Sequence, residues 1–361
     1  MATTASAYTH AHDNASDAGC TIDTLYMAGL THSTLRNHID ACLRNAYTHD
    51  MEIADVALIY QDHYLLIVNK PAGLVIHPTY KHSDGTLWDA ILAYVEQQDG
   101  DNWQPAELPD DPQWAGAPPE IREMLRRQRT DRLWREDGWL PRPCLVHRLD
   151  KDTSGIVALA RTDRSRKHLI KQFHDHSIQK RYLAVIQRGA PEWAQPRAAF
   201  SILQRSPDGT ERLVDGTYFF SASPEDEFIL DGALQRDPAE RRRCIVGPEG
   251  QQSQTSLRVL GIEEPYALLD VRPITGRTHQ IRAHLTASGN AIVGDQMYAR
   301  PEQQQNASNL LARQFLHAYS LTLKRYPSNE PATYIATLPA DIRDWLQRTC
   351  PQLWQAWLDI T

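Results

Sequence analysis

The sequence predicts an α+β protein with a central mixed, mainly antiparallel sheet flanked by helices. Short apolar runs bounded by turn residues are interleaved with amphipathic stretches, and no regular β-α-β repeat links them. At 361 residues and 41% hydrophobic content, the chain can bury one large core or two modest ones. The composition therefore indicates a globular protein.

The first 55 residues are expected to lie outside the main domain. Residues 1–24 are polar and low in large apolar side chains, which predicts disorder. Residues 25–55 place Met27, Leu30 and Leu35 at helical spacing and predict a short helical extension. Neither a signal pattern nor an apolar run of about 20 residues occurs, so we expect a cytoplasmic protein without a membrane partner.

From residue 56 the pattern changes to strands. Residues 57–60, 65–68 and 74–77 are predicted strands, and Lys70-Pro71-Ala72-Gly73 is a predicted turn between the last two. Leu87–Glu96 has the apolar spacing of an amphipathic helix. These elements open a predicted catalytic domain that extends from residue 56 to residue 345.

The second half of the chain continues this alternation. Asp163 is expected to cap a helix that runs to about residue 176 and buries Leu169, Ile170 and Phe173. Further strands are predicted at residues 182–187, 256–260 and 267–271, and residues 346–361 are predicted to form a C-terminal helix or tail. Two polar, charged segments, near residues 99–143 and 206–250, are interpreted as insertions.

Asp150 is the residue most clearly set up for chemistry. It lies in His147-Arg148-Leu149-Asp150-Lys151-Asp152-Thr153-Ser154-Gly155, between two cations and ahead of a turn that leads into the apolar run 156–160. A carboxylate beside cations is favoured in its ionised form, and a fixed anion can act as a nucleophile or a base. An isolated Arg-Leu-Asp would be interpreted as a surface salt bridge, but the following Thr-Ser-Gly turn favours a rigid site.

This nonamer resembles the active-site motif of the RluA-type pseudouridine synthases, which isomerise uridine in structured RNA. Three further segments match the family in its order: residues 67–78, residues 180–185, and residues 273–285 followed by Gly294-Asp295 and Tyr298. Four motifs in order make chance a poor explanation. The resemblance implies the pseudouridine synthase catalytic fold and no cofactor.

The resemblance also implies roles for individual residues. Asp150 would be the essential aspartate, Tyr182 would stack on the flipped uracil with its hydroxyl near the moving proton, and Arg277 would pair with Asp150. Arg148 would fill the stack that the target base leaves. His147, Thr153 and Arg282 are also predicted to bind RNA, together with Arg148. Many members carry an S4-type RNA-binding domain at the place of residues 25–55, which could be a degenerate remnant of it. The match is short, and a packing helix is the favoured interpretation.

Charge gives a mixed indication of an RNA partner. The formal net charge is −7, which opposes phosphate binding, but residues 144–190 contain ten Lys or Arg and four Asp or Glu. Local charge matters more than the total for a site, so structured ribosomal or transfer RNA is the expected partner of a monomer. Asp150 could act on ribose C1′, on the C2′ proton or on the uracil ring, and the sequence leaves these open.

Three other functions are alternatives to an RNA isomerase for this sequence. Asp150-Lys151-Asp152 resembles the start of an aspartate-nucleophile phosphatase, but a strongly apolar preceding strand and a later acidic pair for Mg²⁺ are missing. An inactive RNA-binding homologue would lack Asp150, Tyr182 or Arg277, all of which are present. A metal site is not predicted, because neither the five separated cysteines nor the fifteen histidines have ligand spacing.

Overall fold

A computed structural model describes residues 56–77, 85–96, 112–126, 139–195, 200–206, 208–215, 222–301 and 311–360. The predictions for residues 1–55, namely a disordered segment followed by a short helical extension, lie outside these residues. Most of the predicted insertion at residues 99–143 lies outside them as well. Its described part includes a helical segment at residues 119–126.

The described strands alternate irregularly with helices. The strands are β1 Ala57–Gln61, β2 Leu65–Lys70, β3 Trp139–Leu145, β4 Ser154–Thr162, β5 Gln179–Gln187, β6 Ser201–Arg205, β7 Glu211–Val214, β8 Glu227–Asp231, β9 Leu234–Arg236, β10 Cys244–Val246, β11 Gln254–Glu263, β12 Tyr266–Pro273, β13 Ala291–Ile292, β14 Leu316–Lys324 and β15 Pro331–Ile335. The helices with defined bounds are α1 Leu87–Glu96, α2 Asp163–His174, α3 Gln280–Ala287, α4 Ala340–Thr349 and α5 Pro351–Leu358.

Thirteen strands form one sheet. Its main path is β1-β2-β4-β14-β5-β12-β11-β8-β6-β7, while β3 pairs with β4, β13 with β5 and β15 with β14. Within the described residues, β14 and β4 pair in parallel and the other strand pairs are antiparallel. Strands β9 and β10 form a separate hairpin. The predicted α+β class with a mixed, mainly antiparallel sheet is confirmed.

Strand β4 lies in the middle of the sheet and is buried along its whole length. Ile156, Ala158 and Ala160 belong to one hydrophobic cluster, and Val157 and Leu159 belong to another. Successive side chains of a strand point to opposite faces, so both faces of β4 are covered. This explains why its sequence is a continuous apolar run, and it gives the preceding Asp150 turn a rigid base.

Gly155 permits the parallel pairing of β4 and β14. It lies opposite Ala318 in the register, with φ at +121°. A Cβ at this position would lie 2.3 Å from the carbonyl oxygen of Ala318, well inside contact distance. A side chain would push β14 away from the turn that carries Asp150, so glycine is needed here.

Helix α2 begins at Asp163, one residue earlier than the predicted cap at Asp163 implies. The N-cap is Thr162, whose side chain accepts the Ser165 amide in a capping box. The helix ends at His174. The prediction that Ile170 is buried is wrong, since Ile170 is 42% exposed while Leu169 is 2% exposed. Ile170 falls just outside the apolar stripe that packs on the sheet.

Two further sequence predictions need correction. Residues 74–77 are a loop and not a strand, because the carbonyls of Val75 and Ile76 accept the first amides of α1. The segment 206–250 is not only a polar insertion, since β8 lies within it and buries Phe228 and Leu230 completely. Charged residues on both sides of this apolar run conceal it in the sequence.

The C-terminal residues belong to the same hydrophobic core. Helices α4 and α5 contribute Trp345, Leu353 and Trp357 to the cluster that includes β11 and β12. The carboxylate of Glu263, at the end of β11, accepts the backbone amide of Gln352. The described residues beyond 345 therefore comprise the end of α4 and all of α5, packed on this core. In the described part of the chain, none of the helices is both long and apolar enough to cross a bilayer.

Candidate active site

An open cavity of about 640 Å³ lies beside the turn that precedes β4. Its lining includes one carboxylate, Asp150. The cationic and imidazole side chains of the lining are Arg148, Lys180, Arg277, Arg282, His147, His174, His176 and His279. A cavity of this size and charge can hold a small polyanionic group such as a nucleotide.

Asp150 is held by one of its two carboxylate oxygens. Arg282 Nη1 donates to Asp150 Oδ2 at 3.1 Å, and His279 Nε2 lies 3.8 Å from the same oxygen. The side chain is 25% exposed, and Oδ1 has no hydrogen-bond partner within the described ranges. The carboxylate is therefore fixed in direction while one oxygen stays available for reaction.

Arg282 is the centre of this arrangement. Its Nε and Nη2 donate to Asp295 Oδ2 and Oδ1 at 2.7 and 2.9 Å, and its guanidinium lies 4.8 Å from the centre of the Tyr298 ring. Burial lowers the pKa of Arg282, but hydrogen bonds and charge from Asp295 and Asp150 outweigh it and raise the pKa overall. Arg282 thus stays charged and links the two carboxylates, because it is held by Asp295 and in turn holds Asp150.

The structure replaces the Arg277 of the sequence prediction with Arg282 as the partner of Asp150. Residues 278 and 279 form a turn that leads into α3, and this helix brings Arg282 to Asp150. Arg277 lines the cavity, and its guanidinium has no partner among the residues that the structure describes. Arg282 is 6% exposed and bound to two carboxylates, so the expectation that it contacts RNA is also corrected.

Asp295 is a site residue that the sequence reasoning missed. It is 1% exposed, and its Oδ1 also accepts the backbone amides of Met297 and Tyr298 at 3.1 and 3.2 Å. Four donors therefore converge on a single buried carboxylate. Its signal was the Gly294-Asp295 pair within the matched family motif.

The turn that carries Asp150 is anchored by a buried lysine. Lys70 is fully buried, and its Nζ donates to the carbonyls of Pro71, Leu74 and Lys151 at 2.8, 2.9 and 2.9 Å. Burial lowers the pKa of Lys70 to about 7. Three carbonyls nevertheless require three donated hydrogens, which only the ammonium form supplies, so the geometry favours the charged form.

A second set of side chains holds the far end of the turn. Arg313 donates to the carbonyl of Asp152 at 3.2 Å and to Ser154 Oγ at 3.3 Å, and Gln314 donates to Thr153 Oγ1 at 3.3 Å. Thr153 is only 2% exposed. The predicted RNA contact of Thr153 is therefore corrected, since its hydroxyl is used within the turn.

Tyr182 faces the same cavity from β5, where it pairs in register with Ala318 of β14 and Val271 of β12. Burial, and then the charge of Asp150, raise the pKa of Tyr182, so its hydroxyl is protonated at neutral pH. That hydroxyl makes no hydrogen bond to any residue in the described ranges. The structure therefore brings Asp150 and Tyr182 to one cavity, as the sequence predicts.

His147 and Arg148 have different surroundings. His147 Nε2 accepts the Ala158 amide at 2.9 Å and its ring stacks on Phe173, while burial lowers the pKa of His147 to about 3. These contacts make His147 a neutral structural residue, which corrects its predicted contact with RNA. Arg148 is exposed, and its Nη2 donates to Thr278 Oγ1 at 3.0 Å. Its predicted role in RNA binding remains a prediction.

Comparison with known proteins identifies the family. Residues 64–287 match the family model described as RNA pseudouridylate synthase. The chain belongs to this family. It is thus an isomerase of the pseudouridine synthase type, and family membership decides against the phosphatase considered from sequence.

In the described ranges, no group of three or more His, Cys, Asp or Glu residues is arranged to hold a metal ion.

Individual pseudouridine synthases are similar to this chain at low identity. "Ribosomal large subunit pseudouridine synthase D" of Zymomonas mobilis is 28% identical over 291 residues, which cover 79% of this chain and 70% of the relative. An "Uncharacterized RNA pseudouridine synthase" of Chloroflexus aurantiacus is 32% identical over 276 residues, with 76% and 63% covered. The solved structure of human RNA Pseudouridylate Synthase Domain Containing 4 is 20% identical with a TM-score of 0.46, covering 81% of this chain and 92% of that chain.

Proposed function

We propose that this protein converts specific uridines of large-subunit ribosomal RNA into pseudouridine, acting as a cytoplasmic monomer. Support for the RNA class comes from relatives that carry the name of ribosomal large subunit pseudouridine synthase. Support for the chemistry comes from the cavity around Asp150. Transfer RNA, the other substrate class compatible with the sequence, is tested by the same experiment.

The observation that carries the proposal is the asymmetric binding of Asp150. Arg282 holds Oδ2 at 3.1 Å, while Oδ1 has no partner among the described residues and the side chain lines the cavity. Isomerisation of uridine breaks the bond between N1 and C1′ and rejoins the ring through C5. A fixed carboxylate with one open oxygen suits attack on C1′, removal of the C2′ proton or addition to the uracil ring.

The other cavity residues fit an extruded nucleotide. Arg148, Lys180 and Arg277 line the cavity and supply positive charge for the phosphates on either side of the target. Tyr182 offers a ring on which the uracil can stack. Arg148 is exposed beside Asp150 and can replace the extruded base in the RNA stack, which offsets part of the few kcal/mol that extrusion costs.

The experiment compares RNA from cells that have the gene, lack it, or carry it with Asp150→Asn. Pseudouridine is mapped at single-nucleotide resolution in ribosomal and transfer RNA. We expect one or more large-subunit positions to lose the modification without the gene and to regain it only with the unaltered protein. Loss confined to transfer RNA would reassign the substrate, and no loss at any position would contradict the proposed function.

A further inference from the structure

Tyr298 determines which nitrogen of His279 carries hydrogen. Its Oη lies 2.8 Å from the Cys244 amide, 2.9 Å from the Cys244 carbonyl and 3.1 Å from His279 Nδ1. A tyrosine has one hydroxyl hydrogen, and the carbonyl oxygen can only accept, so that hydrogen belongs to the bond with Cys244. His279 Nδ1 must therefore be a donor to Oη.

The other nitrogen of the ring is left with a lone pair. In neutral His279 the hydrogen is on Nδ1, so Nε2 is an acceptor, and it lies 3.8 Å from Oδ2 of Asp150. Two acceptors are thus neighbours with no hydrogen between them. A proton that arrives at Nε2 would form an imidazolium next to a carboxylate, which is a favourable ion pair.

The environment keeps His279 ready to accept. Burial lowers the pKa of His279 and the charge of Arg282 lowers it further, whereas the charge of Asp150 raises it. At neutral pH the ring is therefore unprotonated. Burial has the opposite consequence for Tyr182, because it raises the pKa of that hydroxyl and leaves it protonated. Between these two cavity side chains, His279 offers the free lone pair.

We propose that His279 is the base that takes the proton from C5 of the uracil after the ring has been rejoined to the ribose. The inference rests on the proposed function and assigns one of its steps. It is based on the cavity position of His279, on the Tyr298 contact that fixes the hydrogen on Nδ1, and on the 3.8 Å separation between Nε2 and Asp150.

The step balances without any additional reactant. The C5–H bond breaks, and its electron pair forms the double bond between C5 and C6. The electron pair of the double bond between C6 and N1 moves to N1, and the released proton binds His279 Nε2. N1 then takes the proton of the imidazolium, either directly or relayed through a water molecule, so the product has the same atoms as the substrate and His279 is neutral again.

The timing follows from the charge of Asp150. If Asp150 is an ester or is protonated earlier in the reaction, it cannot stabilise an imidazolium, and Arg282 opposes one. When the new carbon–carbon bond forms and Asp150 is again a carboxylate, its charge favours protonated His279. The base therefore gains strength at the step that needs it.

Asparagine is the appropriate replacement for this test. His279 has φ at 54°, in the left-handed region that asparagine tolerates better than most other residues. His279→Asn removes the basic nitrogen while keeping a polar side chain. The matched control is His77→Asn, which changes an exposed histidine outside the cavity.

The experiment measures single-turnover pseudouridine formation at saturating RNA, with hydrogen or deuterium at C5 of the target uridine. We expect His279→Asn to be slower on the order of 100-fold, with a deuterium isotope effect larger than that of the unaltered enzyme and partial rescue by added imidazole. Circular dichroism and RNA affinity should match the His77→Asn control, which should react at the unaltered rate.

Three results would overturn the inference. An unaltered rate for His279→Asn would remove His279 from the reaction. A slower rate with neither an enlarged isotope effect nor imidazole rescue would make it a residue that only positions Tyr298 and Asp150. An enlarged isotope effect in Tyr182→Phe but not in His279→Asn would assign the base to Tyr182. Absence of pseudouridine with the unaltered enzyme would instead refute the proposed function, so the two failures are distinguishable.

Discussion

Replacing Asp295 with asparagine tests whether Arg282 must be bound by Asp295 in order to orient Asp150. Asp295 Oδ1 accepts Arg282 Nη2 and the amides of Met297 and Tyr298, and Oδ2 accepts Arg282 Nε. An amide oxygen can take the Oδ1 position and keep three of the four bonds. The NH₂ group then faces the Nε–H of Arg282, which places two donors against each other in a buried site.

The size of the effect follows from these contacts. Breaking a buried ion pair costs about 3–5 kcal/mol, and three surviving bonds favour the lower end, about 3 kcal/mol. With an unfolding entropy of about 2 cal/mol/K per residue over roughly 300 residues, the melting temperature should fall by about 5 °C. Loss of alignment at Asp150 should lower the single-turnover rate by about 10- to 100-fold.

The assay pairs differential scanning calorimetry with single-turnover kinetics at saturating RNA. Asp270→Asn is the matched control, because Asp270 is also fully buried and accepts from Arg181, Arg272 and Tyr319 without touching Asp150. It should lose stability but keep its rate per folded molecule. An unchanged rate for Asp295→Asn, or an equal loss in both variants, would refute the proposal that Arg282 and Asp295 act together on Asp150.

Two further predictions concern the other cavity side chains. Tyr182→Phe keeps the ring and removes the hydroxyl, so RNA affinity should persist. If the hydroxyl takes part in the reaction, the single-turnover rate should fall. An unaltered rate would make Tyr182 a stacking residue only. Arg277→Ala should weaken RNA binding and reduce the slope of log affinity against log salt by about one, with turnover at saturation retained. Loss of turnover with unaltered RNA affinity would instead indicate that Arg277 acts on Asp150. The contrasting variant is Arg282→Lys, because lysine lacks the planar guanidinium that binds Asp150 and Asp295 at the same time.

Where local pattern and tertiary role agree, the sequence predicts the fold well. Leu87–Glu96, the start of α2 to within one residue, and the strands β5, β11 and β12 follow from apolar spacing and capping residues. The strand prediction for residues 74–77 is wrong because hydrogen bonds to α1, which lies outside this segment, stabilise a loop there. Strand β8 was not predicted because its buried apolar run is short and flanked by charged residues.

The site shows the same limit. Asp150 and Tyr182 could be predicted because each occurs in a distinct motif, and the structure brings them to one cavity. The choice between Arg277 and Arg282 could not, because it depends on α3 beginning at Gln280, so that a buried helix presents Arg282 to two carboxylates. Periodicity over the short stretch 275–285 does not distinguish that helix from a strand.

The burial of Lys70 is unexpected for a lysine. Lysine is among the residues least often buried, yet Lys70 is fully buried. Its position is explained only by the three carbonyls that surround Nζ, one of which belongs to Lys151 beside the catalytic turn. Such convergence of distant backbone groups is visible only in three dimensions.

The central claim is that the carboxylate of Asp150, held through Arg282, performs the isomerisation. The most direct measurement is the single-turnover rate of pseudouridine formation by Asp150→Asn at saturating large-subunit RNA, with affinity and melting temperature measured on the same preparation. The change removes the reactive anion but almost no volume, so we expect no detectable pseudouridine, with RNA affinity and fold close to those of the unaltered protein. Substantial turnover by the well-folded, RNA-bound variant would contradict the claim.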